Sequence, residues 1–270
     1  MLLYRLITAA ILIPTTLLVL FYSSAQLFLL LTACVFLAAA WEWSNLCGIK
    51  SNTRRFLYVL FILFLMGWML FIPVRMIYTA GLVWWIVAFI FILSYPTFSG
   101  WWGRGVVIRG MMGGLVLIPC WTGLNVLRSL VHGDYAILFL LLLIWGADTF
   151  AYFAGKCWGK HKLCPLVSPG KSWEGFFAAI LGTTLITVLT SWFLELPQAI
   201  WWKVILLSIV TVFFSVVGDL LESMLKRQVG VKDSGRMLPG HGGLLDRIDS
   251  LTAAVPVYTV GYLMVSKYFY

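Results

Sequence analysis

Charge is what this chain has least of. Asp, Glu, Lys and Arg make up 11% of its 270 residues, where a soluble domain carries about a quarter. Only ten residues are acidic. With 62% hydrophobic residues and a mean hydropathy of +0.98, the composition excludes a soluble globular domain and a disordered chain alike. The five cysteines, Cys34, Cys47, Cys120, Cys157 and Cys164, are scattered and odd in number, which argues against a disulfide framework. Internal repeats, low-complexity linkers and composition shifts are also missing. The apolar runs, such as 138–144, are continuous and do not alternate, so membrane β-strands are excluded. A net charge of +9 could suit a polyanion, yet the basic residues interrupt apolar runs and line no polar face. No nucleic-acid partner is expected.

What remains is apolar length. A helix needs roughly 20 mainly apolar residues to cross the hydrocarbon core. Nine segments reach about that length, near 4–22, 25–47, 56–73, 78–96, 106–126, 135–154, 174–194, 201–222 and 251–269. The expected fold is therefore all-α, a polytopic integral membrane protein with about nine transmembrane helices. Residues 1–130 would hold spans 1–5. A catalytic membrane region, 131–270, would hold spans 6–9 and the polar stretches 155–173 and 223–250. The stretch from Leu6 to Tyr22 is longer than a signal-peptide core, so the first span is read as uncleaved. With the N-terminus inside, fifteen of nineteen basic residues fall on the inner face and four outside, as the positive-inside rule requires.

Several local patterns invite chemistry and fail on spacing. Cys157, His161 and Cys164 lack a fourth neighbour for a structural zinc site. Ser168-Pro169-Gly170-Lys171-Ser172 ends like a phosphate-binding P-loop, but the first glycine of that pattern falls on Pro165 and no strand is expected before it. What survives is a lysine and a hydroxyl, Lys171 and Ser172, just before a membrane helix. Free N–H groups there favour an anion, and helix capping by Ser172 is the plain alternative.

The acidic residues choose the site. Eight of the ten follow position 147. Asp148 falls late in the sixth span, Asp219 and Glu222 late in the eighth, and Asp246 and Asp249 just precede the ninth. Carboxylates at membrane depth are costly and usually functional. Asp219, Ser223 and Lys226 share a helix face at i, i+4 and i+7, and Asp246, Asp249 and Ser250 share another. Two such faces could offer Asp219 and Asp246 to one cation. Oxygen ligands without paired cysteine or histidine point to Mg2+. Lys226, Arg227, Lys232, Arg236 and Arg247 surround them, with Lys156, Lys160, Lys162 and Lys171 opposite. Carboxylates for a metal plus surplus cations suit phosphoryl or nucleotidyl transfer. Between the helices, the glycine-rich 232–243 can bring backbone N–H groups close to phosphate.

Residues 223–249 run Ser223-x2-Lys226-Arg227-x4-Lys232-Asp233-x-Gly235-x2-Leu238-Pro239-x-His241-Gly242-Gly243-Leu244-x-Asp246-Arg247-Ile248-Asp249. This pattern resembles the signature of the phosphatidate cytidylyltransferase (CDP-diacylglycerol synthase) family. Trp145 to Asp148, Gly159 to Leu163 and Ser168 to Lys171 are similar to bacterial members, and Ala40-Trp41-Glu42-Trp43 fits less distinctively. The resemblance implies transfer of the cytidylyl group of CTP to phosphatidic acid, giving CDP-diacylglycerol and pyrophosphate, the committed step of phospholipid synthesis. It also implies Mg2+ (with K+ beside it in some members), a homodimer, and a site on the cytoplasmic face of the bacterial inner membrane. Carried across, Asp219 and Asp246 would be metal ligands, and with Lys226 and Asp249 the catalytic group. Ser223, Arg227, Lys232, His241, Arg247, Lys171, Ser172 and Lys160 would meet substrate phosphates. Asp249 and His241 would organise the loop, supported by Asp148, Asp233, Gly242 and Gly243. A transporter would spread polar residues through several spans, and here Glu42 is the one acidic residue in the first five. The CDP-alcohol phosphotransferase motif is absent, and a purely structural scaffold gives no reason for residues 223–249.

Overall fold

A computed structural model describes residues 2–97, 99–103, 105–237, 240 and 242–268. Nine long helices run through the described residues: α1 (Leu2–Tyr22), α2 (Ala25–Leu46), α3 (Asn52–Met69), α4 (Val74–Leu93), α6 (Val106–Ser129), α7 (Gly133–Trp158), α8 (Trp173–Phe193), α9 (Gln198–Gln228) and α10 (Leu245–Val265). A single turn, α5 (Ser99–Trp102), lies between α4 and α6, and a two-stranded hairpin, β1 (Lys162–Cys164) and β2 (Ser168–Ser172), joins α7 to α8. Seven helices, α2, α4 and α6 to α10, are long and apolar enough to cross a membrane. In α3 the first turn carries Asn52, Arg54 and Arg55, which dilute its apolar run. The protein is a multi-pass membrane protein.

The interior is built by close approach. Helices α9 and α10 run side by side, as do α7 and α8, and α6 is packed among α2, α4 and α10. Small residues sit at the crossings, as membrane helix packing requires. A Cβ on Gly218 of α9 would strike the Asp249 carbonyl of α10, and one on Gly81 would press on Pro119. Thr187 Oγ1 donates to Ser208 Oγ at 2.8 Å, a polar tie between α8 and α9.

Two boundaries differ from expectation, and both shift polar residues into helix. Helix α9 continues to Gln228, and its 31 residues span about 46 Å at 1.5 Å each, against a hydrocarbon core of about 30 Å. Its final turns, with Asp219, Glu222, Lys226 and Arg227, are thus a polar extension of an apolar rod. Helix α10 starts at Leu245, six residues before the apolar run, so Asp246 and Asp249 lie inside the helix and do not precede it. Asp246, in the first turn, reaches back to accept the Gly243 N–H at 2.8 Å and so fixes the chain as it enters the helix. The 155–173 stretch is also no simple loop: a strand does precede Ser168, and the serine-to-serine segment is itself the second strand.

One end of the bundle gathers these polar features. The end of α2 meets the start of α10, where Leu245 N–H donates to Glu42. Helix α9 is tied to the hairpin by Arg227 Nε donating to the Val167 carbonyl at 3.2 Å. Arg109 of α6 closes on the Gly103 and Leu46 carbonyls.

Candidate active site

Within this polar end, two lysine–carboxylate pairs form the centre. Lys171, on β2, places Nζ 2.5 Å from Asp219 Oδ2 of α9. Asp219 Oδ1 accepts from Ser223 Oγ at 3.2 Å, one turn further along the same helix. Lys226 places Nζ 2.7 Å from Asp246 Oδ1 and 3.1 Å from Glu222 Oε1. On α9, Ser223 bonds back to Asp219 and Lys226 lies near it, while α10 brings Asp246 against Lys226.

Asp246 is the most heavily bonded of these groups. Besides Lys226 and the Gly243 N–H, it accepts the Ser234 N–H, 3.1 Å from Oδ2. It thus holds the connector 229–244 at Ser234 and at Gly243. Gly242 has φ +82°, a left-handed turn that glycine takes without strain, and a Cβ there would crowd Asp246. Asp249 lies one turn on, its Oδ1 accepting the Ser250 N–H at 2.7 Å, with Asp219, Lys226 and Lys171 as charged neighbours. Among the described residues, Asp246 and Glu42 accept hydrogen bonds from the connector. Asp148 on α7 faces the same group, with Lys171, Asp219 and Arg247 beside it. Five carboxylates, Asp148, Asp219, Glu222, Asp246 and Asp249, thus gather around Lys171 and Lys226. Glu222 Oε2 is buried without a hydrogen-bond partner among the described residues.

Of the remaining expected residues, Lys160, Arg227, Lys232, Asp233 and Arg247 are exposed. Arg227 bonds to the hairpin and Arg247 neighbours Asp148, while Lys160 lies with His161, Trp173 and Glu174. Ser172 is buried and its hydroxyl accepts the Gly175 N–H at 3.2 Å, capping α8. His241 lies outside the described residues. His161 Nδ1 sits 2.7 Å from Glu174 Oε1, while burial pushes the neighbouring Cys164 thiol up, against the thiolate that zinc would need. Among the described residues, no three His, Cys, Asp or Glu side chains converge as a ready-made metal cage.

Three residues outside the expected site join it in three dimensions: Glu42, Asn45 and Ser234. Glu42 is 1% exposed and its Oε2 accepts the Leu245 N–H at 2.8 Å and the Ser234 hydroxyl at 3.5 Å. Asn45 Nδ2 donates to the Ser234 carbonyl at 3.4 Å. The one signal available in the sequence was the isolation of Glu42, a lone acid in five apolar spans.

With this geometry in hand, similarity to known proteins can be placed on it. Residues 3–265 match the sequence model of the cytidylyltransferase family. A phosphatidate cytidylyltransferase of Pseudomonas aeruginosa is 42% identical over 260 residues, covering 96% of each chain. One of Haemophilus influenzae is 35% identical over 287 aligned positions, covering 98% of this chain and all of the relative. One of Staphylococcus epidermidis is 48% identical over 124 residues, 46% of this chain and 47% of the relative.

Proposed function

The chain belongs to the cytidylyltransferase family and is a nucleotidyltransferase, and from that premise we propose that it transfers the cytidylyl group of CTP to phosphatidic acid, releasing pyrophosphate and leaving CDP-diacylglycerol. The observation that carries this reading is the cluster itself: carboxylates from two adjacent helices, lysines within contact, and further cations, all at the polar end of an apolar bundle. A lipid substrate keeps its chains in the bilayer and offers only its phosphate to such an end.

The reaction is an in-line displacement. An oxygen of the lipid phosphate forms a bond to the α-phosphorus of CTP, and the bond from that phosphorus to the bridging α–β oxygen breaks, with both electrons leaving on pyrophosphate. The lipid phosphate is already an anion near neutral pH, so no activated serine is required. What the protein must supply is position and positive charge. Lys171 can exchange Asp219 for a phosphate oxygen, because that pair stands at the rim of the cluster. Arg227, Lys232 and Arg247 meet the charge that grows on the leaving pyrophosphate. Lys226 holds Asp246 and Glu222 in place.

The donor set suits magnesium. Asp219 and Asp246 are hard oxygen ligands, and magnesium is usually held by one or two carboxylates plus substrate phosphates rather than by a full protein cage. The carboxylates around the two lysines present negative charge that a divalent cation would offset. When bound, the metal would polarise the phosphates of CTP; potassium as a second cation belongs to the same reading. We place the enzyme in the bacterial inner membrane as a homodimer with the cluster facing the cytoplasm, an orientation supported by the fifteen basic residues on that side.

The test is direct. Purified protein in detergent, given CTP and phosphatidic acid with and without magnesium, should form CDP-diacylglycerol and pyrophosphate only with the metal. Absence of CDP-diacylglycerol under those conditions would overturn the assignment.

A further inference from the structure

We propose that Glu42 is a positioning residue for this reaction, setting Asp246 in place from the other end of the sequence; the role rests on the proposed function of Asp246. The carboxylate is fully enclosed, and burying one is costly unless hydrogen bonds replace water; Oε2 accepts two, while Oε1 is buried without a partner among the described residues. Its two donors flank Asp246. Leu245 is the residue immediately before it, and Ser234 is the residue whose N–H Asp246 itself accepts. Asn45, one turn along α2, takes the Ser234 carbonyl, so α2 grips Ser234 at both hydroxyl and carbonyl.

The fit around Glu42 is tight. A Cβ on Gly235 would collide with the carboxylate, and one on Gly243 would meet both it and the Ser234 hydroxyl. The glycines of the connector here serve a protein carboxylate, not only a phosphate. The platform beneath is braced. Arg55 of α3 donates to Ser44 Oγ and the Trp41 carbonyl, each at 2.9 Å, and stacks 4.1 Å from the Trp41 ring. Trp43 Nε1 donates to the Arg109 carbonyl at 2.8 Å. Glu42 acts through Leu245 and Ser234, whose positions decide where the Asp246 oxygens point.

The experiment compares wild type, Glu42→Ala, Glu42→Gln and Ser234→Ala as full-length protein in detergent. Trypsin cleavage after Lys232 and Arg236, both exposed, reports release of the connector without CTP or metal. Hydrogen bonds to a charged group contribute about 1.5–3 kcal/mol, so Glu42→Ala should be cut roughly tenfold to a hundredfold faster. Glu42→Gln, which keeps an acceptor for Leu245, should lie between it and wild type, and serves if the alanine variant does not fold. The magnesium concentration that half-saturates the rise in melting temperature should increase about tenfold in Glu42→Ala and less in Ser234→Ala. In the transfer assay kcat should fall while KM for CTP changes little. Unchanged cleavage, or faster cleavage with an unchanged magnesium midpoint, overturns the proposal. Failure of the wild type to transfer a cytidylyl group would overturn the proposed function alone, because the cleavage and melting readouts do not use it.

Discussion

Lys171–Asp219 and Lys226–Asp246 are the same pair of residue types in two settings. The first joins a thin hairpin to α9, and its side chains are 26% and 25% exposed. The second lies between two long helices at 11% and 8%, with Glu222 and two backbone N–H groups added. The more accessible a pair, the more easily it opens and the closer its contribution falls to the about 0–1 kcal/mol of a surface pair; losing one partner of a buried pair costs about 3–5 kcal/mol. The comparison separates two duties. A group that must trade its partner for a substrate phosphate belongs on the hairpin side, and a group that must hold its place belongs between the helices.

The largest effects should come from the aspartates. Asp219→Ala and Asp246→Ala should each lower cytidylyl transfer by at least ~10²–10³. Only Asp246→Ala should also lower the melting temperature in detergent, because it releases Lys226 and the connector at Ser234 and Gly243. Equal melting temperatures would break the contrast. The lysines sharpen it. Lys226→Met leaves Glu222 and Asp246 without their cation and should cost about 3–5 kcal/mol in unfolding free energy. Lys171→Met should cost under about 1 kcal/mol yet lose about a hundredfold in rate. Arg227→Ala removes the bond to Val167 that ties α9 to the hairpin, so KM for CTP should rise several-fold with about 1 kcal/mol of stability lost. Ser223→Ala should be mildest. It removes one 3.2 Å bond to Asp219, worth about 0.5–1.5 kcal/mol, and steady-state rates should fall about threefold to tenfold.

The nine long helices were legible because an apolar run of sufficient length leaves the backbone one way to satisfy itself in lipid. Their ends were less so. Hydropathy falls at Ser223 and rises again at Leu251, yet the helices run past both points, because Lys226 and Asp246 pair across them and Asp246 accepts the Gly243 N–H. The hairpin leaves little trace in the sequence, since β1 has three residues and Pro169-Gly170 reads as a turn; pairing of Lys162 with Ser172 makes it a ribbon. The core of the candidate site was visible because Asp219 to Asp249 lie close together in sequence. Ser234 and Asn45 were not, since their roles are bonds to residues that only the fold brings near. Ser172, read as either an anion ligand or a cap, is placed as a cap.

The bond between Glu42 and Leu245 crosses 203 residues of sequence. At about 5–20 residues per second, roughly 10–40 s of synthesis separate the carboxylate from its donor. Throughout that interval α2 is already made, and the acid at its end lacks its Leu245 and Ser234 donors, with Arg55 of α3 as the charged neighbour made in the meantime. The bundle therefore has a built-in order of completion. Its second helix must wait at the aqueous border until the last one arrives, and a nascent chain halted after α9 would carry a polar end that nothing yet closes.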